Sequence, residues 1–321
     1  MRIGVTGAGG YIGSCVSQQL LNKNMDVVPL DNFSYSKLYE RRINDVEIRN
    51  ADVANFDALE TYLEGVDCIF HLAAISGIDE CNKHIKQTAT TNLTGTENIA
   101  ALCAEHHINL IFASSCAVVG NPTIMPITGN YPRHPLNSYA KSKYYGEEVI
   151  LRYATHGEFS SYIFMIANVY GAHCVNNQIV TKNTVINKFV TQALNKSDLT
   201  VYKPGTQGRD FIHVLDVSRA FVKALDYIGD KDSLSMIPIG SGKSTSVRTI
   251  ARLTQSVCFA QTGYEPWIEC IDNPRENEIL CSDFRLDTEK AEKTIDFKAE
   301  VDMEEAIREM FRMQPHSITR K

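Results

Sequence analysis

The segment TGAGGYIG, residues 6–13, constrains the fold more than any other stretch of this chain. It overlaps IGVTG (3–7), an apolar run that reads as a buried strand, and leads into Ile12, Val16 and Leu20, whose four-residue spacing marks one face of a helix. Three of its four glycines, at 7, 10 and 13, make a G-x-x-G-x-x-G pattern and not the G-x-G-x-x-G of most dinucleotide folds. The physics is shared. Without Cβ atoms, backbone N–H groups approach a pyrophosphate closely, and a helix N-terminus favours its negative charge. A glycine-rich turn between strand and helix also occurs for packing alone, so its meaning depends on the segments downstream.

Those segments alternate. DVVPLD (26–31), VEIRNADV (46–53), CIFHLAA (68–74), NLIFASS (109–115) and SYIFMIANVYG (161–171) read as strands separated by helical stretches. That rhythm predicts right-handed βαβ units and an α/β fold, a Rossmann-type doubly wound parallel sheet with a smaller α/β C-terminal substrate lobe. After Gly171 the rhythm breaks, and HCVNNQIVTKN reads as loop. The expected division is a cofactor-binding Rossmann domain over 1–167, with 209–237 returning to it, and a substrate lobe formed mainly by 168–321.

Composition narrows the partners. With 321 residues, 44% of them hydrophobic, the chain can bury more than one core. A net charge of −6 without a basic block argues against nucleic acid. No run of apolar residues is long enough for a membrane span, and the opening MRIGVTGAGG turns glycine-rich too early for a signal peptide. Nine cysteines, scattered and without a C-x-x-C pair, suggest that most of them are reduced core residues in a cytoplasmic protein. Cys81 with His84, or His106 with His107, lacks the second pair that a zinc site needs, so no metal is expected.

Asp31 ends the second strand, where an acid hydrogen-bonds adenosine ribose hydroxyls and repels a 2′-phosphate, which favours NAD over NADP. Read alone, it is a turn residue before NFSYS. Asp52 and Val53 suit the adenine edge, and Leu72, Ala73 and Ala74 of HLAA would pass beneath the cofactor. Further along, SYAKSKYYGEEVI (138–150) looks helical and puts Tyr139 and Lys143 at i and i+4, on one face. An ammonium beside a phenol favours the phenolate and lowers its pKa towards working pH. The strand end FASSCAVVG (112–120) supplies hydroxyls and a thiol to the same region.

These segments, with NVYG, GRDFIHVLDV (208–217), PIGSGKSTSV (238–247) and NPRENE (273–278), resemble in order and spacing the extended short-chain dehydrogenase/reductases. The similarity is to their NAD-dependent nucleotide-sugar epimerase/dehydratase branch, and DNFSYSK (31–37) is most similar to UDP-glucose (UDP-galactose) 4-epimerases. The resemblance implies cofactor contacts from Gly7, Gly10, Tyr11, Ile12, Gly13, Asp31, Asn32, Ser36, Asp52, Val53, Leu72, Ala73, Ala74 and Asn92, as well as Tyr139 and Lys143. It implies a catalytic Ser115, Tyr139 and Lys143, with Ser115 also holding the sugar O4. Asn168 would hold the sugar or diphosphate, Thr200 and Tyr202 the nucleoside base, Arg209 the diphosphate, Arg275 the diphosphate or a ribose, and Glu278 would also bind the nucleotide sugar, a UDP-hexose by the same likeness. A homodimer built through the Y-x-x-x-K helix is implied too.

After Ser115 the 4,6-dehydratases of this branch carry Asp then Glu. This chain has Cys116 and Ala117, and Ala117 accepts no proton, so the resemblance implies C4 epimerisation through a transient 4-keto sugar. Val119, Met165, Ser76 and Glu278 depart from the branch's usual tyrosine, arginine, lysine and aspartate, and the residue that gates N-acetyl groups falls within LCSDF (280–284). Competing readings are a nucleotide-sugar dehydratase, reductase or decarboxylase on the same frame, with Cys116 as an acid, and a non-catalytic NAD-binding regulator. The retained Tyr139 and Lys143 argue against the regulator.

Overall fold

The computed structural model describes residues 1–156, 159–229, 234–274 and 278–313. Seven parallel strands form the central sheet, in the spatial order Leu234–Ile239, Ser161–Ile166, Asn109–Ser115, Cys68–His71, Arg2–Thr6, Asp26–Asp31 and Arg49–Asn50. The order reverses between Arg2–Thr6 and Cys68–His71, where consecutive crossovers run to opposite sides and leave a crevice beyond the strands' carboxyl ends.

Both sheet faces are covered, which explains why the strands are near-continuously apolar. On one face, Phe70 and Phe164 pack against Phe221 of helix Val214–Ala224, with ring centroids 5.2 and 4.9 Å apart, and Val16 and Leu20 of helix Tyr11–Asn22 complete the layer. Ile69, Leu110 and Ile163 point to the other face, against Ile99 and Leu102 of helix Gly95–His106 and Val149 and Ile150 of helix Ser138–His156. Truncating Phe221 to alanine would cost about 3–5 kcal/mol by the usual cavity penalty.

A third core lies apart from the sheet. Phe189, Leu199, Ile250 and Phe311 bring together helices Val185–Leu194, Val247–Thr262 and Met303–Met313 and the parallel pair Leu199–Tyr202 and Ile268–Ile271. The chain passes between this lobe and the sheet repeatedly. It leaves after Ile166, returns with Val214–Ala224 and Leu234–Ile239, leaves again at Ser244–Ser246, returns with Phe284, Leu286 and helix Glu289–Ile295, and ends in Met303–Met313.

Three local readings change. SYIFMIANVYG is two strands, because Ala167 donates to Ile239 O and turns the chain so that Asn168–Tyr170 pairs with Gly208–His213 outside the main sheet. VEIRNADV is no single strand, since Val46–Glu47 closes a small hairpin with Arg42–Ile43 and only Arg49–Asn50 joins the sheet. HCVNNQIVTKN holds a hairpin, His173–Val175 with Gln178–Val180, turned by Asn176 and Asn177 at φ 49° and 63°. Asparagine tolerates that left-handed backbone, and two such residues make the tight turn that strand twist prefers. Among the described residues no helix is long and apolar enough to cross a membrane.

Candidate active site

The carboxyl ends of six sheet strands open into one cavity of about 1240 Å³, whose far wall comes from the third-core lobe. Its floor is the glycine turn. Gly7 takes φ +72°, and a Cβ there would lie 2.7 Å from Ala73 N, so the HLAA strand end passes too close for any side chain. At Gly13 a Cβ would meet Gly7 O at 2.0 Å. Helix Tyr11–Asn22 begins at Gly10 with no side-chain cap and no acid in its first turn, so its free N–H groups face the cavity. An uncapped helix start above such a cradle fits the pyrophosphate of a dinucleotide.

Asp31 is buried beside the turn, accepting the Gly9 N–H at 2.9 Å and the Phe33 N–H at 2.7 Å, while burial raises its carboxyl above the ordinary range. Asn32 donates to Asp52 at 2.9 Å, and both line the cavity with Val53, Leu72, Ala73 and Ala74. Thr6 fixes this strand end, its hydroxyl meeting the Leu72 and Ala73 N–H groups and His71 Nδ1. Tyr11 and Ile12 also line the cavity, and the Tyr11 hydroxyl donates to Gly171 O at 2.8 Å, tying the floor to the other lobe.

Two residues expected at the cofactor stand behind the wall. Ser36 lies outside the lining and donates to Gly9 O, so it braces the turn. Asn92 is buried in a π-helical turn, Ala89–Thr94, where it exchanges hydrogen bonds with both backbone groups of Ile75 and donates to Ser142. It thereby joins the strand end to the helix that carries Tyr139.

At the other end of the cavity Ser115, Tyr139 and Lys143 converge. Ser115 ends its strand and accepts the Ala117 N–H at 3.2 Å, which starts a single 3₁₀ turn, Cys116–Val119. Helix Ser138–His156 presents Tyr139 and Lys143 one turn apart. The phenol is pushed up to about 12 by burial, and the Ser115 hydroxyl pulls it down. Lys143 does not produce the expected lowering of the phenol. Its ammonium donates to Ala113 O at 2.7 Å and lies 4.9 Å from the Phe112 ring centre, with its own pKa lowered to about 8 by desolvation. Burial pushes the Cys116 thiol up to about 12, so it stays protonated at neutral pH.

Asn168, Thr200, Tyr202, Arg209 and Glu278 line the outer half. Asn168 donates to Asp210 O at 3.0 Å, and Thr200 accepts from Gln192 at 2.9 Å. Arg209 donates to the backbone oxygens of Gly208 and Ile279, with Glu278 acting on its charge from nearby. Asp210 serves structure, accepting from Ser241, Gly242 and Leu286. Arg275 lies outside the described residues.

Some supporting groups carried no sequence signal. Below Ser115, Ser114 donates to Glu147 at 2.5 Å and Arg133 Nε pairs with the same carboxylate at 2.8 Å. Lys182 enters the cavity from the segment after the asparagine hairpin and donates to Ser76 Oγ.

Comparison with known proteins agrees with this architecture. The NAD dependent epimerase/dehydratase family matches residues 3–240. A candidate UDP-glucose 4-epimerase of Methanocaldococcus jannaschii is 32% identical over 309 residues, 95% of each chain. UDP-glucuronic acid decarboxylase 1 of Danio rerio is 25% identical over 312 residues, 95% of this chain and 71% of that one. The crystal structure of the Thermotoga maritima UDP-glucose 4-epimerase with UDP-glucose has the same fold, with a TM-score of 0.84, 24% identity and 98% of both chains covered.

Proposed function

Because the chain belongs to the NAD dependent epimerase/dehydratase family, we propose that it inverts C4 of a nucleotide sugar, with a UDP-hexose as the substrate class. One observation carries the choice of reaction. Ser115 and Tyr139 meet at the cavity's inner end, and the next two residues along the chain from Ser115, Cys116 and Ala117, offer no carboxylate for removing water across C5 and C6.

In this reading the glycine turn and its uncapped helix hold the pyrophosphate of NAD, while Asp31 faces the adenosine ribose and disfavours a 2′-phosphate. When bound, NAD would supply a reversible hydride acceptor for the sugar C4 and a positive charge that favours phenolate. Tyr139 accepts the O4 proton and later gives it back. Ser115 hydrogen-bonds O4 and orients it towards the phenol. Lys143, held by Ala113 O one helical turn from Tyr139, adds a positive charge to that end of the cavity. Arg209 anchors the diphosphate, with Arg275 as its second cation and Glu278 beside it. Asn168 steadies the sugar, and Thr200 and Tyr202 receive the base.

The test is incubation with UDP-glucose, UDP-galactose, their N-acetylated forms and UDP-glucuronic acid, with the products read by NMR. The expected product is the C4 epimer at equilibrium, and Tyr139→Phe is expected to lower the rate by about a hundredfold or more. A 4-keto-6-deoxy sugar, or a pentose formed with release of CO₂, would refute the assignment.

A further inference from the structure

Lys182 is the cation whose position the proposed reaction leaves unexplained. Its backbone is pinned, because Asn187 Nδ2 donates to Lys182 O at 2.9 Å, to Thr181 Oγ1 at 2.9 Å and to Gly171 O at 2.8 Å. The side chain runs from this anchor into the cavity, where the Ser76 hydroxyl is its hydrogen-bond partner. Among the described residues no carboxylate lies within ion-pair distance of its ammonium. Glu80, the acid that acts on Lys182 from farther off, instead lies 3.9 Å from His84.

Lysines act on this part of the cavity, with Glu80 as the opposing acid. Desolvation lowers Lys182 to about 8, and Lys37 pushes the same way. Lys143 is lowered in turn by Lys182. Lys37 thus acts on Lys182, and Lys182 on Lys143. Lys37 belongs to the loop beside the glycine turn, where its N–H donates to Gly9 O at 2.7 Å, and Lys143 lies below Ser115 and Tyr139. A partly buried ammonium held by one neutral hydroxyl, with a like charge acting on it, calls for an anion in the space it faces. That space runs from the uncapped helix start to the Tyr139 end of the cavity.

We infer that Lys182 is a ligand of the cofactor pyrophosphate, supplied across the cavity by the segment between the asparagine hairpin and helix Val185–Leu194. The inference rests on the reading that the cavity holds NAD. The glycine turn then supplies N–H groups to one side of the pyrophosphate and Lys182 supplies charge to the other. Through Asn187, cofactor grip becomes linked to the lobe that receives the nucleotide sugar.

The experiment measures NAD content in the purified full-length protein, and the rate of NAD release on dilution, for wild type, Lys182→Met and Lys182→Arg. Methionine keeps most of the lysine's length, and circular dichroism checks that each variant is folded. Lys182→Met is expected to release NAD about tenfold faster or more, as for loss of a charge-assisted hydrogen bond, with Lys182→Arg within about threefold of wild type. Salt should speed release from wild type more than from Lys182→Met. Unchanged release from Lys182→Met overturns the inference, as does equal loss in both variants, which would mark a packing role. Unchanged NAD release with a raised KM only for a carboxylate-bearing nucleotide sugar assigns the lysine to substrate and also overturns it. Absence of NAD binding by wild type would overturn the cofactor reading itself, whereas a non-epimerising protein that holds NAD through Lys182 would overturn only the reaction assigned above.

Discussion

Replacing Arg133 by methionine tests whether the network below Ser115 is a true buried ion pair. The side chains of Arg133 and Glu147 are only 8% and 1% exposed, and Nε lies 2.8 Å from Oε2. Removing the guanidinium leaves a buried carboxylate with the Ser114 hydroxyl as its partner, and breaking such a pair costs about 3–5 kcal/mol. At about 2 °C per kcal/mol for a chain of this size, the melting temperature should fall by roughly 6–10 °C. The pH dependence gives a sharper readout. Burial already raises Glu147 above its usual range and Arg133 opposes the rise, so losing Arg133 drives the carboxyl higher still. A carboxyl raised in the folded state favours folding when protonated. Stability is therefore lost as pH rises from the unfolded value through the folded one. Melting curves of both proteins from pH 5 to 8 should show the deficit of Arg133→Met growing with pH, and Arg133→Met/Glu147→Gln should recover much of it. The control is Arg152→Met, whose partner Glu97 is exposed, with an expected cost below about 1 kcal/mol. An Arg133→Met deficit no larger than this control's, or one that shrinks with pH, would refute the argument.

Gly13→Ala should abolish NAD retention and lower the melting temperature, since the new Cβ would sit 2.0 Å from Gly7 O; NAD content after purification checks it. Asp31→Ala should narrow the preference for NAD over NADP by about tenfold, read from paired affinity titrations, at some cost to the turn that its carboxylate braces. His71, His173 and His213 are held by burial at about 3, 4 and 4, below the ordinary 6.5. The unfolded chain therefore binds more protons between these values, and stability should fall as pH drops from about 6.5 towards 4, with His173→Gln flattening part of that slope in acid melts.

The sheet was legible because its strands are buried on both faces and therefore uniformly apolar, and because the glycines at 7, 10 and 13 have a direct steric reason. Tyr139 and Lys143 were paired by their helical spacing, and Ser115 was singled out by the family resemblance; the structure places all three at one cavity. Charge balance was not legible. Whether Lys143 faces the phenol or Ala113 O depends on where helix Ser138–His156 sits over the neighbouring strand, which no local pattern reports. The same holds for Lys182 meeting Ser76, for Glu147 accepting from Ser114 and for Asn92 bracing Ile75, contacts between segments far apart in the chain. The hairpin at Asn176 and Asn177 did carry a signal, a pair of residues tolerant of left-handed backbone, masked by the polar residues around it.

The repeated passage of the chain between the sheet and the third core makes the two lobes woven, not hinged. A cut after Ile166 would remove helix Val214–Ala224 and edge strand Leu234–Ile239 from the sheet, stripping Phe70 and Phe164 of their cover. Neither half is then a module that can be transplanted. New substrate preferences on this frame must arise from side chains lining the existing cavity, and heat should melt both lobes in one transition.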